Sequence, residues 1–332
     1  MTGRELSIAF QSDKPPGDYA ELARLVEGYG FDTLSIYADL LFQPPVVPLA
    51  VAAQATSRVR LGPASLNPFT LHPVEIAGQI AALDLLSGGR AYLGLSRGAW
   101  LEDIGVGQER AVSRMREAID VIEHLLAGRL EPYEGQHLRL SEHHRLHYTV
   151  QRERVPLVVG SWGRQTLRLA GQRADEVKVG GSANPDVVPI VRDWIAEGAT
   201  SVGRDPDSIG ICLGAVTVVD EDRDVARALI RREMALYLPV VAGLDPTVSV
   251  DPDLLARIEA LVARGEAASA GDLIPDDLLD RFAFAGNPDD IIRQSEALLA
   301  AAVTRIEFGT PHGVTPARGL KLLGERVLPA LR

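Results

Sequence analysis

The chain has 332 residues, 46% of them hydrophobic, 24% charged and 5% aromatic, with a formal net charge of −11. This is the make-up of a soluble globular protein whose core is built from aliphatic side chains and alanine. The acidity argues against nucleic acid or an acidic membrane as partner, and no apolar run approaches the ~20 residues of a spanning helix.

Leu6 to Phe10 reads as a first strand, and Asp18 to Tyr29 as an amphipathic helix closed by Gly30. The start, MTGRELSIAF, lacks the long apolar stretch of a secretory leader, and a cytoplasmic home is expected. Thr33 to Tyr37 is strand two. An apolar, proline-bearing loop follows, carrying Asp39, Phe42, Gln43, Pro44 and Pro45. Strand three, Val59 to Leu61, runs into LGPASLNPFTLHP, Leu61 to Pro73. There Gly62, Pro63, Ala64, Ser65, Asn67 and Pro68 are expected to continue neither strand nor helix. A buried strand that stops abruptly beside small residues suits a ligand site, although an ordinary strand-to-helix turn can share this composition.

Val74 to Leu86 is helical, Ala91 to Leu95 is strand four with Ser96, Arg97, Gly98, Ala99 and Trp100 at its tip, and a long helix covers Ala111 to Leu126. Leu130 to Arg154, with four histidines, reads as a surface hairpin or insertion. Val155 to Val159 is strand five, and Gly160-Ser161-Trp162-Gly163-Arg164-Gln165-Thr166 leads into a helix through Arg168. Glu176 to Val179 is strand six, and Ile209 to Val219 strand seven. A helix spans Asp224 to Leu238, and a helical, acidic insertion lies near Asp245 to Arg281. Asn287-Pro288-Asp289-Asp290 opens another helix, Arg305 to Phe308 is strand eight, and Pro316 to Leu331 is a closing helix.

Eight short, continuously apolar strands alternating with helices predict one (β/α)₈ TIM barrel over 1–332, with insertions near 130–154 and 243–284. An open doubly wound sheet is the runner-up, and no G-x-G-x-x-G follows strand one to favour it. In a barrel, function gathers at the C-terminal tips of the strands. Those tips carry amides, hydroxyls, small residues, two arginines and bulky apolar groups, but no pair of carboxylates and no metal-ligand spacing. Such a set suits a planar organic ligand with an anionic tail. The turn Gly160 to Thr166 could hold that anion with backbone N–H groups at a helix start, or could be a plain glycine-rich turn.

Four stretches, LGPASLNPFTLHP, LSGGRAYLGLSRGAW, VPLVVGSWGRQTLRLAGQRADEV and FAGNPDDIIRQ, make the chain resemble the bacterial-luciferase-like superfamily. Within it the chain is most similar to the branch using the deazaflavin coenzyme F420, which includes methylene-tetrahydromethanopterin reductases. The resemblance implies a non-proline cis peptide at Ala64–Ser65 behind the ring, with Asn67, Asp39 and Arg97 along the ring and side chain. Gly160, Ser161, Trp162, Gly163, Arg164 and Gln165 would take the phosphate. The chemistry implied is hydride transfer. Where the methanopterin reductases carry a strand-one glutamate this chain has Ala9. Where F420-dependent glucose-6-phosphate dehydrogenases carry a histidine and a glutamate it has Leu40 and Ala99. A sugar phosphate is therefore not the expected substrate, and the change at Ala9 counts against the pterin.

For the substrate, Gln11, Phe42, Gln43 and Trp100 stand at the tips. Trp100 walls a pocket or packs its loop; Phe42 and Gln43 form a lid or meet a second subunit. His312 is the acid/base candidate, the alternative being a turn histidine. Lys178, inside an apolar strand, reaches the rim or pairs with an acid such as Asp175 or Glu176. Cys212 is read as core, no metal site is expected at His143, His144 and His147, and Asp220 to Arg232 is read as a solvated helix face. Hydride transfer with F420 leads. An FMN-dependent monooxygenase served by a separate flavin reductase comes second, and a flavin-binding protein without turnover third. A homodimer is the expected assembly.

Overall fold

The computed structural model describes residues 4–332; Met1 to Gly3, where the reading of a leader begins, lie outside them. The strands are β1 (Glu5–Phe10), β2 (Thr33–Tyr37), β3 (Arg60–Ala64), β4 (Leu93–Ser96), the hairpin β5 (Tyr133–Glu134) and β6 (Arg139–Leu140), β7 (Leu157–Gly160), β8 (Glu176–Gly180), β9 (Gly210–Val219), β10 (Ala283–Gly286) and β11 (Arg305–Gly313). Eight of them pair in parallel in the order β3-β2-β1-β11-β9-β8-β7-β4. Bridges between Leu61 and Ala91 and between Leu66 and Leu95 join the two ends. The sheet is thus a nearly closed (β/α)₈ barrel and not an open one. Its strands read as apolar runs because helices cover the outside while packed side chains fill the inside.

Several boundaries fall where local residues demand. Gly30, at φ 89°, ends the first helix at Tyr29. Asn287 and Asp290 exchange side-chain and backbone hydrogen bonds in a full capping box. Strand three departs from expectation. It continues through Gly62 and Pro63 to Ala64, and the bend comes only after Ala64. Proline is tolerated there because β3 and β4 meet only through isolated bridges on that side.

Sequence reading missed β10, a four-residue strand that adds to β9 outside the main path. The 243–284 excursion thus ends inside a strand, since Ala283 and Phe284 belong to β10. The helices Pro252–Ala263, Ala267–Gly271 and Asp276–Phe282 pack on Arg223–Ala242 around a separate apolar cluster that includes Ile230, Met234, Leu238, Ile258 and Phe282. The run Asp220 to Arg232 is not merely a solvated face. Arg227 is buried and pairs with Asp276 and Asp280 at 3.0 and 2.7 Å.

The 130–154 segment contains the short hairpin β5–β6. Glu117 fastens it by accepting the N–H groups of Gln136, His137 and Leu138 at 2.8, 2.7 and 2.9 Å. Arg152 anchors its far end with a two-pronged bond to the buried Asp84 carboxylate. No helix is long and apolar enough to cross a membrane, among the described residues.

Candidate functional site

The bend after β3 and the turn after β7 both lie at the C-terminal end of the barrel strands. The Ala64–Ser65 peptide is cis, as the resemblance implied, and so is Thr310–Pro311. At this bend β4 passes so close that a Cβ on Gly94 would sit 2.0 Å from the Pro63 carbonyl oxygen. Ser65 lies next to Gly160. A Cβ at Gly160 would meet Ser65 Oγ at 3.3 Å and Ser96 Cβ at 3.4 Å. The lack of a side chain there lets the two elements that sequence reading singled out approach closely.

Asn67 is 8% exposed, and its carbonyl oxygen accepts from Phe69 N, Thr70 N and Thr70 Oγ1 at 3.1, 2.9 and 3.0 Å. It shapes the bend, and its amide group faces Gly98. Gln11 donates from Nε2 to Asp39 Oδ2 at 2.8 Å, while its Oε1 is buried without a partner. A buried acceptor left unpaired is costly. Gln43 turns inward, giving Nε2 to the Lys14 carbonyl at 2.7 Å. Phe42 and Trp100 are 45% and 48% exposed. Arg97 is exposed, and its carbonyl takes a hydrogen bond from the Gln108 amide.

Past β7, the helix Arg164–Arg173 begins at Gly163 without any side-chain cap. Its first N–H groups have no intrahelical partner, and the positive end of the helix dipole lies there. Ser161 Oγ accepts from Gly163 N at 3.0 Å, so its hydroxyl hydrogen remains to donate. Trp162 is turned away by a hydrogen bond from Nε1 to the Gly180 carbonyl at 2.8 Å. Arg164 pairs with Glu197 at 2.8 Å and leaves the charge of the turn to the backbone. Gln165 is exposed beside it.

His312 is not placed at the opening. It is 1% exposed, its Nε2 donates to the Ala9 carbonyl at 3.0 Å, and its ring lies 5.0 Å from that of Phe10. Burial pushes its pKa down to about 4, so the imidazole is neutral near pH 7. Lys178 pairs with an acid, as one of the two readings had it, but the acid is Glu307 of β11 and not Asp175 or Glu176. Sequence reading missed Glu307 altogether. Its only signal was a carboxylate alternating with Arg305 in an apolar strand. Burial pushes the Cys212 thiol far up, which keeps it protonated. His143 and His144 are exposed, and among the described residues no group of three or more His, Cys, Asp or Glu is placed to hold a metal ion.

The luciferase-like monooxygenase family model matches residues 4–305. The 5,10-methylenetetrahydromethanopterin reductase of Methanopyrus kandleri is 29% identical over 348 residues, covering 99% of each chain. That of Methanolobus tindarius is 30% identical over 328 residues, covering 97% of this chain and 98% of its own. Among solved structures, the coenzyme F420-dependent tetrahydromethanopterin reductase from Methanopyrus kandleri superposes over 100% of both chains with a TM-score of 0.91 and 28% identity. An uncapped helix start beyond β7 and full-length likeness agree with the family model: this chain belongs to the luciferase-like monooxygenase family.

Proposed function

We propose that the protein is an oxidoreductase that passes a hydride between coenzyme F420 and a small organic substrate. The observation that carries this reading is the uncapped start of Arg164–Arg173 across from the bend after β3, in a chain similar end to end to F420-dependent reductases. The residues fit such a coenzyme. Free N–H groups at a helix start suit a phosphate, and the orphaned Gln11 Oε1 can accept from a ring N–H.

In this reading Ala64 and Ser65 back the ring, with Asp39, Asn67 and Arg97 along it. Gly160, Ser161, Trp162, Gly163, Arg164 and Gln165 surround the phosphate. Ser161 donates its hydroxyl, whereas Trp162 and Arg164 act through the shape of the turn. Gln11, Phe42, Gln43 and Trp100 border the substrate, the two exposed aromatics excluding water from its face. The coenzyme when bound supplies the ring carbon that takes or gives hydride; the protein positions ring and substrate face to face. His312, neutral and turned toward Ala9, orients Phe10 and the β1 tip instead of moving a proton. One domain with excursions at 130–154 and 243–284, a homodimer and a cytoplasmic location complete the reading.

Purified protein titrated separately with F420 and FMN, followed by absorbance and fluorescence, tests it. F420 is expected to bind at micromolar concentrations and FMN much more weakly. Preference for FMN would point to the monooxygenase with its flavin reductase partner, and binding of neither would remove the coenzyme reading.

A further inference from the structure

The helix Arg223–Ala242 changes character along its length. Over its first half the exposed positions include Arg223, Asp224 and Arg232, whereas over its last turns they are Leu236, Tyr237 and Val240, with Leu244 just beyond the end. These four apolar residues are 49%, 41%, 47% and 46% exposed. Leu236 and Val240 stand one turn apart on one face, and Tyr237 flanks them. Large apolar groups gathered on one face gain by being covered, so this end of the helix marks a surface that meets something apolar.

That end lies at the C-terminal tips of the strands. Val241 packs on the turn after β8, where a Cβ on Gly181 would come within 2.9 Å of its Cγ1. β2 stands on the opposite wall of the barrel, and Tyr237 reaches toward it. Burial, Asp39 and Glu233 all push the Tyr237 hydroxyl pKa up, and Asp39 and Tyr237 both act on Tyr37 at the end of β2. Such influence fades with distance, so the two rings and the carboxylate stand near one another. The Tyr37 hydroxyl crosses to β11, where a Cβ on Gly309 would meet it at 2.5 Å. Beneath Tyr37 the bore is filled by paired charges: Arg305 with Glu176 at 2.7 Å, Arg305 with Glu307 at 3.3 Å, and Lys178 with Glu307.

The other large exposed side chains at the tips, Leu41, Phe42 and Trp100, are apolar as well. In the reading above Asp39 and Arg97 lie along the coenzyme, and Lys14 pairs with Asp13 at 2.6 Å. The acids and the histidine that related enzymes carry are replaced here by Ala9, Ala99 and Leu40. We propose that the end of the helix Arg223–Ala242 walls the substrate site, with Tyr237 against the substrate, and that the substrate is an uncharged, predominantly apolar molecule. The inference rests on the F420 reading given above, which names a reaction but not the class of molecule it acts on.

Calorimetric titration with straight-chain methyl ketones from butanone to octanone, and with gluconate and glucose 6-phosphate, tests it. Wild type, Tyr237→Ala and Tyr237→Phe are each measured with and without F420. In wild type, affinity is expected to rise about threefold for each added methylene, somewhat less than full burial of the group would give. Tyr237→Phe should keep that dependence on chain length, and Tyr237→Ala should flatten it. Tighter binding of the two charged compounds, no dependence on chain length, or the same dependence in Tyr237→Ala would overturn the proposal. Light scattering on the same samples reads the competing occupant, a second copy of this chain. A dimer that Tyr237→Ala splits while the chain-length dependence stays would make the face a subunit contact and overturn the proposal too. Failure of wild type to bind F420 would refute the F420 reading by itself, since the ketone series is also read without coenzyme.

Discussion

Two strand-to-helix turns in this barrel use the same geometry to opposite ends. After β10, Asn287 and Asp290 answer each other's backbone N–H groups in a full capping box. Close by, His312 spends its Nε2 on the Ala9 carbonyl. After β7, the helix Arg164–Arg173 begins with a glycine and no side-chain cap. The Gln11 acceptor at the tip of β1 is likewise unmatched. An uncapped helix start and an unmatched acceptor, both at strand tips, are groups that a bound ligand would complete.

Four changes break or sharpen that contrast. The largest effect is expected at His312. Its folded pKa of about 4 lies below the 6.5 of an ordinary imidazole. As pH falls the unfolded chain takes a proton near 6.5, while the folded chain holds out to about 4. Its contribution to stability is thus complete above 6.5 and drains between 6.5 and 4, by about 3 kcal/mol at ~1.4 kcal/mol per unit. Urea unfolding across this range should show the slope in wild type and a flatter one in His312→Asn. Asparagine suits the positive φ of 74° at this position.

Next comes Gly163→Asp, which gives the open helix the cap it lacks; the backbone there is already extended, at φ −85° and ψ 127°. The melting temperature should rise slightly, with about 0.3 kcal/mol gained, while affinity for F420 drops about 100-fold because a carboxylate occupies the anion's place. Ser161→Ala should weaken F420 about tenfold by fluorescence titration, the effect of one hydrogen bond to a charged group. The smallest change is Asn287→Ala. It should cost about 1 kcal/mol in urea unfolding and leave coenzyme affinity untouched, since that cap serves only its own helix.

How much of this was legible depended on range along the chain. The helix 18–29 and the turn past β7 announce themselves through local signals, a terminal glycine and a run of small residues. The cis peptide at Ala64–Ser65 came from resemblance, because no local rule assigns one to a bond without proline. The acid that Lys178 pairs with could not be named, because it lies 129 residues away and meets the lysine only when the barrel closes. Arg227 was misread for the same reason, its acids standing 49 and 53 positions further on. His312 showed its residue type and a turn, but burial belongs to the packed molecule. β10 was too short to stand out from the acidic helices before it.

The quartet of Arg305, Glu176, Glu307 and Lys178, with Tyr92 beside it, closes the bore from beneath. A molecule settled at the strand tips would rest on this floor, since the barrel beneath it is packed and is no passage.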